Sequence, residues 1–459
     1  MTLPVDPAIG RGARIAVIGA GIAGMASAWL LRNHADVTLF EAGARAGGHA
    51  DTALISTPSE LIPVDCGFIV YNETNYPNLT ALFAALGVET IASEMSFAVS
   101  VDGGAMEYGG GTLGQVFAQK SNLLNRRFLA MLRDILRFYR EAPALLAIDA
   151  PATAIEESLG DYLMREGYGQ GFIEDHILPM GAAIWSGTLA GMEAFPARHF
   201  VRFFANHGLL KLTGRPQWRS VAGGSRNYVA ALMRDLRQPA RFGQAVVKLR
   251  RAADGVLLHL ADGSSACFDQ VILACHADQA LTMIEQPSAP EHAILGAMRF
   301  QENEAVLHGD VSLMPRRQGV WSAWNFLLDR RADRTGNASV TYWMNRLQNL
   351  PGSQPILLSL NPQHPPAPAL VHATRRYSHP QFDAAAMAAQ GRLPTINGAD
   401  RLWFAGAWTG WGFHEDGIAS AVAIATAMGV APPWPLAPGY DRLAPLPRRL
   451  VPPAERVAA

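Results

Sequence analysis

Gly19, Gly21 and Gly24 stand in the spacing G-x-G-x-x-G, and Glu41 follows about 20 residues on. That pattern carries a specific chemistry. Gly19 permits a tight turn, Gly21 lets the backbone approach a pyrophosphate, and Gly24 lets the following helix lie close on a sheet. The helix opening at Ile22 and Ala23 would present N–H groups and a positive dipole to the phosphates, and Glu41 would accept from a ribose 2′-OH.

The elements that must position these groups are readable on either side. Arg14 to Ile18 is an apolar run of strand length, the stretch from Ile22 to Leu31 reads as a helix, and Val37 to Glu41 reads as a second strand ending in the acid. A secretory signal is the competing reading, because Arg11 and Arg14 precede an apolar run of small residues. Three glycines at motif spacing and a strand ending in Glu41 are not what such a segment requires, so the stretch is expected to stay in the mature protein.

Beyond Glu41 comes Ala42-Gly43-Ala44-Arg45-Ala46-Gly47-Gly48, a second glycine pair with an arginine beside it. Two glycines allow another close backbone approach, and Arg45 can face phosphate or ribose. From Gly19 to Thr52 the chain resembles, without a gap, the FAD motif of the flavin-containing amine oxidoreductase superfamily, G-x-G-x-x-G continuing through E-A-x-x-x-x-G-G-x-x-x-T. The resemblance implies FAD as cofactor. It also implies that Asp65-Cys66-Gly67, with Phe68, passes the flavin ring, and that Val246 to Leu249 lays backbone against adenine. Gly406, then Asp416, Gly417 and Ile418 at the start of a small-residue helix, match the closing FAD motif, whose helix N–H groups face the ribityl chain and the flavin N1/O2 edge.

The chain has 459 residues, too many for one simple core. Its net charge of −1 with 49% hydrophobic residues suits a globular enzyme and gives no basic excess for nucleic acid. Cys66, Cys267 and Cys275 make neither a disulfide framework nor a metal site, so no metal is expected and a reducing cytoplasm fits best. No apolar stretch reaches the length of a membrane span, which leaves peripheral contact with the inner membrane open.

The nucleotide motifs are split along the chain, so the expected fold is α/β plus α+β: a Rossmann-like FAD-binding domain with a parallel sheet, interleaved with a discontinuous substrate domain. The FAD-binding parts are expected at 1–95, 221–290 and 386–430, the substrate domain at 96–220 (with a helical cap) and 291–385, and a Pro-rich tail at 431–459. Residues 1–12 read as a disordered lead-in. A helix from Leu79 to Leu86 ends at Gly87, a hairpin follows Phe97 to Val101, and strands from Ala245 to Ala274 form a meander. In the helix expected over 125–147, Phe128, Leu129, Leu132, Ile135, Leu136 and Tyr139 recur at three and four, with arginines largely elsewhere. Such a helix packs its apolar face into a core, or collects acyl chains at a bilayer. Met180 to Gly187, small residues around Trp185, suits a wall for an apolar ligand, or equally a tight helix contact.

Amine oxidases of the resembled superfamily hold a water near flavin N5 with a lysine. Here the corresponding segment, Arg299 to Val306, has none, and the chain's lysines are Lys120, Lys211 and Lys248. In place of their aromatic pair stands Trp408, Trp411, Phe413, His414 and Glu415. The wording F-H-E-D-G, with Asn206 to Leu210 (N-H-G-L-L) and Ala183 to Ser186 (A-I-W-S), resembles the N-terminal half of plant cyclopropane fatty acid synthases and bacterial methylated fatty acyl desaturases. That branch implies a fatty acyl or other lipid substrate and a fatty acid methyltransferase as partner. The implied reaction is desaturation by hydride transfer to flavin N5, with His414 and Glu415 as the catalytic bases and O2 as the default reoxidant. A redox-neutral double-bond isomerase, an amine oxidase and a non-catalytic FAD-bearing partner of the methyltransferase are the alternatives.

Overall fold

A computed structural model describes residues 12–56, 60–147, 157–330, 339–435 and 446. The lead-in expected over 1–12 and most of the tail expected over 431–459 lie outside these residues.

Ile15, Ala16 and Val17 are fully buried, as a strand covered on both faces must be. They belong to a five-stranded sheet in the order 241–242, 36–41, 14–18, 270–273, 402–404, with every neighbour parallel. Three distant stretches of chain therefore build one sheet, with Ile18 in register with both Phe40 and Leu273. The Ile22–Leu31 helix is buried at all ten positions. An amphipathic helix could not sit there, and its run of Ala, Gly and apolar residues is what lets the His414–Ala427 helix approach. A Cβ on Gly417 would come within 2.8 Å of the Ile22 side chain. Around this sheet lie the antiparallel meander, Val246–Ala252, Gly255–Leu260 and Ser265–Phe268, and the Pro77–Leu86 helix, which Gly87 ends in the left-handed region at φ +66°.

A second sheet of seven strands runs 371–381, 299–308, 357–360, 339–343, 324–328, 97–101, 106–109. It is antiparallel except where 324–328 lies parallel to 97–101. Helices Arg126–Glu141, Leu178–Trp185 and Ala197–Asn206 share one hydrophobic core with it. The helix expected over 125–147 begins behind an Asn125 cap, its side chain accepting from Phe128 N, and gives way to a 3-10 turn after Glu141. Among the described residues no helix is long and apolar enough to cross a membrane.

Candidate active site

One continuous cavity of about 2120 Å³ runs from the glycine turn to the helices of the seven-stranded sheet. Ordinary ligand pockets hold roughly 300–1,000 Å³, so it has room for two ligands in series.

At its first end the backbone does the work. Gly19 turns at φ +104° and donates to Phe40 O at 2.8 Å; a Cβ there would sit 2.6 Å from Ala274 O. Gly24 is closed to any side chain, because its Cβ would meet Gly19 O at 1.8 Å. Gly21 differs: it precedes the helix without any side-chain cap, and a Cβ on it would meet no protein atom within 4 Å. It therefore faces open cavity, beside Ile22 and Ala23, which also line it. The first-turn N–H groups of that helix have no partner within the helix.

Glu41 holds this loop in shape. One carboxylate oxygen accepts from Ala20 N and the other from Gly43 N, both at 2.7 Å. The second glycine pair folds back on the first: Gly47 N donates to Ala20 O at 2.8 Å, and a Cβ on Gly48 would lie 3.1 Å from Gly21 Cα. Arg45 lines the cavity beside Ala42, but its guanidinium is spoken for by the carboxylate of Asp51 at 2.7 Å. Asp51 also takes Arg375 at 2.8 Å and the Tyr377 hydroxyl at 3.2 Å, so Arg45 is a clamp within the protein rather than a free phosphate or ribose ligand. Val246, Gln244 and Cys275 face this end from the other side.

Midway, Gly67 passes so close to His49 that a Cβ would lie 2.1 Å from its carbonyl oxygen, and Phe68 N donates to that oxygen at 2.7 Å. The Phe68 ring stacks on His414, centroids 3.8 Å apart and planes 15° from parallel. His414 Nε2 lies 3.0 Å from the Tyr228 hydroxyl, and burial holds its pKa down to about 3, so the imidazole is neutral at pH 7. His49, His276 and His379 line the same region. Burial lowers all three, His379 to about 4.

Glu415, expected beside His414 as a base, does not reach the cavity. It is fully buried and accepts from Asn78 N at 3.1 Å, Asn78 Nδ2 at 2.8 Å and Leu79 N at 2.9 Å, capping the Pro77–Leu86 helix. The closing motif divides in the same way. Gly406 lines the cavity at φ +155°, its N–H donating to Ser420 Oγ at 3.0 Å. Asp416 instead caps its own helix, accepting from Phe413 N at 2.9 Å, Gly417 packs on Ile22, and Ile418 is core. Gly24, Asp416, Gly417 and Ile418 thus shape the site through packing and are not part of its wall.

The other end is oily. Leu132, Ile135, Leu136 and Tyr139 on one helix, Met180, Ala183 and Ile184 on the next, and Phe203 on the third face Trp324, Tyr342, Leu358 and Leu360 of the large sheet. The arginines of the Arg126–Glu141 helix turn aside: Arg127 pairs with Glu174 and Asp175, and Arg137 with Glu141. Trp185 lies in the wall with Phe195 and Phe203 around it at 4.7 Å, and its indole N–H reaches Trp411 O at 3.3 Å. No lysine lines any part of the cavity.

Sequence reasoning passed over Tyr228 and over the 371–381 strand, which puts Arg375, Tyr377 and His379 on one cavity wall. Their spacing of two was the available signal, since alternate strand residues share a face.

Residues 22–300 match the family model of the flavin containing amine oxidoreductases. Among solved structures, the CLA-producing fatty acid isomerase from P. acnes superposes with a TM-score of 0.65 at 15% identity, covering 91% of this chain and 99% of that one. Cyclohexylamine oxidase from Brevibacterium oxydans IH-35A gives 0.65 at 16% identity, covering 91% and 98%. Putrescine oxidase bound to putrescine gives 0.64 at 13%, covering 89% and 97%. Such identities speak for a shared fold, and the three names already span different substrates.

Proposed function

The chain belongs to the flavin-containing amine oxidoreductase family and is an FAD-dependent oxidoreductase; within that frame we propose that its substrate is a fatty acyl chain, desaturated next to the flavin. The observation that carries the reading is the aliphatic arm, built by Leu132, Ile135, Leu136 and Ile184 and continuous with the glycine cradle.

The cradle fits FAD on two counts. Gly21 leaves open space where a pyrophosphate needs backbone, and the uncapped start of the Ile22–Leu31 helix offers donors to an anion. We assign ribose recognition to Glu41, pyrophosphate approach to Gly19, Gly21, Ile22 and Ala23, with Ala42, Gly47 and Gly48 beside them, and the adenine side to Val246. Gly67, Phe68 and Gly406 would flank the ring. Bound there, FAD supplies a two-electron acceptor for hydride.

In desaturation the acyl chain loses a hydride from one carbon and a proton from its neighbour, and a C=C bond forms. The arm would hold the chain extended and exclude water, as its aliphatic lining favours. His414, neutral and oriented by Tyr228, is the group of this chain best placed to accept the proton, although at a pKa of about 3 it is a weak base. That weakness favours one second reading, a redox-neutral double-bond isomerase in which hydride leaves and returns and no proton needs a resting place.

Anaerobic titration of the holoenzyme with methylated and unmethylated acyl lipids, following the visible band of oxidised flavin, tests the reading. Bleaching with formation of a new C=C bond supports desaturation. Product with a shifted double bond and no net bleaching supports the isomerase. Bleaching by amines alone, or by nothing offered, overturns the acyl proposal, the latter favouring a non-catalytic partner of a methyltransferase.

A further inference from the structure

The oily arm opens to the surface between Leu113, Leu136 and Leu212, all lining the cavity and all exposed. Outside this mouth the apolar surface continues. Leu124 is 88% and Leu129 42% exposed, with Leu123 beside them. On the Arg126–Glu141 helix, Leu129, Arg133, Leu136 and Arg140 fall at i, i+4, i+7 and i+11, one outward stripe that alternates leucine with arginine. Scattered exposed leucines need no explanation, but leucines gathered around the opening of an apolar cavity do.

Charge gives the second observation. Residues 109–133 contain four Lys or Arg and no Asp or Glu, and residues 194–216 again contain four and none, in a chain whose net charge is −1. These two stretches carry Leu113, Leu124, Leu129 and Leu212. Arg133 and Arg140 also lean on Asp134 and Glu141, whereas Lys120, Arg126 and Lys211 stand exposed at the collar. Leucines that reach outward between cations match a bilayer surface, where apolar side chains enter the acyl boundary and Lys or Arg stems snorkel to anionic headgroups.

We propose that this collar docks the protein on an anionic phospholipid bilayer, setting the cavity mouth against the membrane so that an acyl chain passes into the arm without crossing water. The passage of the chain rests on the acyl reading above; the docking does not.

The test uses FAD-loaded enzyme with vesicles of phosphatidylglycerol and phosphatidylethanolamine, or of phosphatidylcholine alone, in about 0.1 M salt, where surface charges still act over roughly 10 Å. The bound fraction is read from sedimented flavin colour. Wild type is expected on the anionic vesicles and not on phosphatidylcholine. Lys120→Glu with Arg126→Glu should lower partitioning by roughly 25-fold or more, about fivefold per cation. Leu124→Glu and Leu129→Glu should each lower it by about tenfold. None of these four residues lines the cavity, so retained flavin and an unchanged melting temperature certify folding in each variant. Equal binding to both kinds of vesicle, or no binding to either, overturns the collar. So does a wild-type dimer in gel filtration that Leu124→Glu dissociates, since a second copy would then be its occupant. Docking without any flavin reduction by lipid keeps the collar and removes the acyl reading. Reduction by detergent-dispersed acyl chains without docking does the reverse.

Discussion

Replacing Glu41 should release the flavin, and the structure says by how much and why glutamine will not rescue it. The carboxylate accepts two backbone N–H groups, one on each oxygen, at 2.7 Å. A hydrogen bond to a charged acceptor is worth about 1.5–3 kcal/mol. The donor on Gly43 is exposed, so water replaces that bond cheaply, while Ala20 sits buried in the turn that carries Gly19 and Gly21. Counting the inner bond and the lost ribose acceptor gives about 2–3 kcal/mol for Glu41→Ala, or roughly 30- to 150-fold in FAD affinity. Glu41→Gln keeps the shape but turns an NH2 group on one of two N–H donors, so it should fall closer to Ala than to wild type. Titration of apoprotein with FAD, read by flavin fluorescence, measures both. An affinity within twofold of wild type for Glu41→Ala would refute the assignment of this carboxylate to the cofactor cradle.

Two glycines a turn apart should fail differently. Gly21→Ala meets open space and should fold normally but lose FAD, whereas Gly24→Ala drives a methyl group into Gly19 O and should lower the yield of folded protein itself; circular dichroism and flavin content separate the two. Glu415→Ala strips three buried donors of their acceptor and should cost about 3–5 kcal/mol, seen as a large fall in melting temperature; His414→Ala should leave flavin bound and change reduction kinetics in stopped flow. Stability should also fall with acid. His176 and His414 are held down to about 3 and His308 and His379 to about 4 by burial, so below pH 6.5 the unfolded chain takes up protons that the fold refuses. The contribution is complete above pH 6.5 and shrinks by about 1.4 kcal/mol per pH unit for each histidine as pH drops towards 4. Melting curves across that range should show the fall, and His176→Phe should flatten it by one proton's share.

The cradle was legible because its determinants are local. Gly19, Gly21, Glu41 and Gly47 lie within 30 residues, and a turn, a helix start and an acceptor at the next strand end can be ordered without knowing the rest of the chain. The parallel sheet followed from three apolar runs of strand length, and the periodicity of Leu132, Ile135, Leu136 and Tyr139 already marked the face that lines the arm. Two things were out of reach. Arg375, Tyr377 and His379 join the wall only because their strand pairs with 299–308, a tertiary fact. The pair His414 and Glu415 read as one catalytic unit, yet they open a helix, where successive side chains diverge by about 100°. With His414 turned to the cavity, Glu415 is carried round to the buried end of the Pro77–Leu86 helix, whose open N–H groups bind a carboxylate. Arg45 was misread for a related reason: the sequence shows that it can reach an anion, and the fold supplies a nearer one in Asp51.

Charge within the cavity bears on what it is suited to bind. Near its middle Asp51 is neutralised by Arg45 and Arg375, and in the arm Glu94 faces Arg346 at 3.2 Å. The four histidines around the Phe68 region are neutral, and no lysine is present to hold a water there. An ammonium substrate entering such an arm would give up its hydration and find its carboxylate partners already paired, a penalty of several kcal/mol for a buried charge. An acyl chain brings no charge to desolvate, and about 0.8 kcal/mol for each CH2 transferred from water draws it in. The same features that make His414 a poor base, burial and the absence of a nearby anion, thus suit the arm to an uncharged substrate that gives up hydride, which is why the acyl proposal and the weak base belong together rather than in opposition.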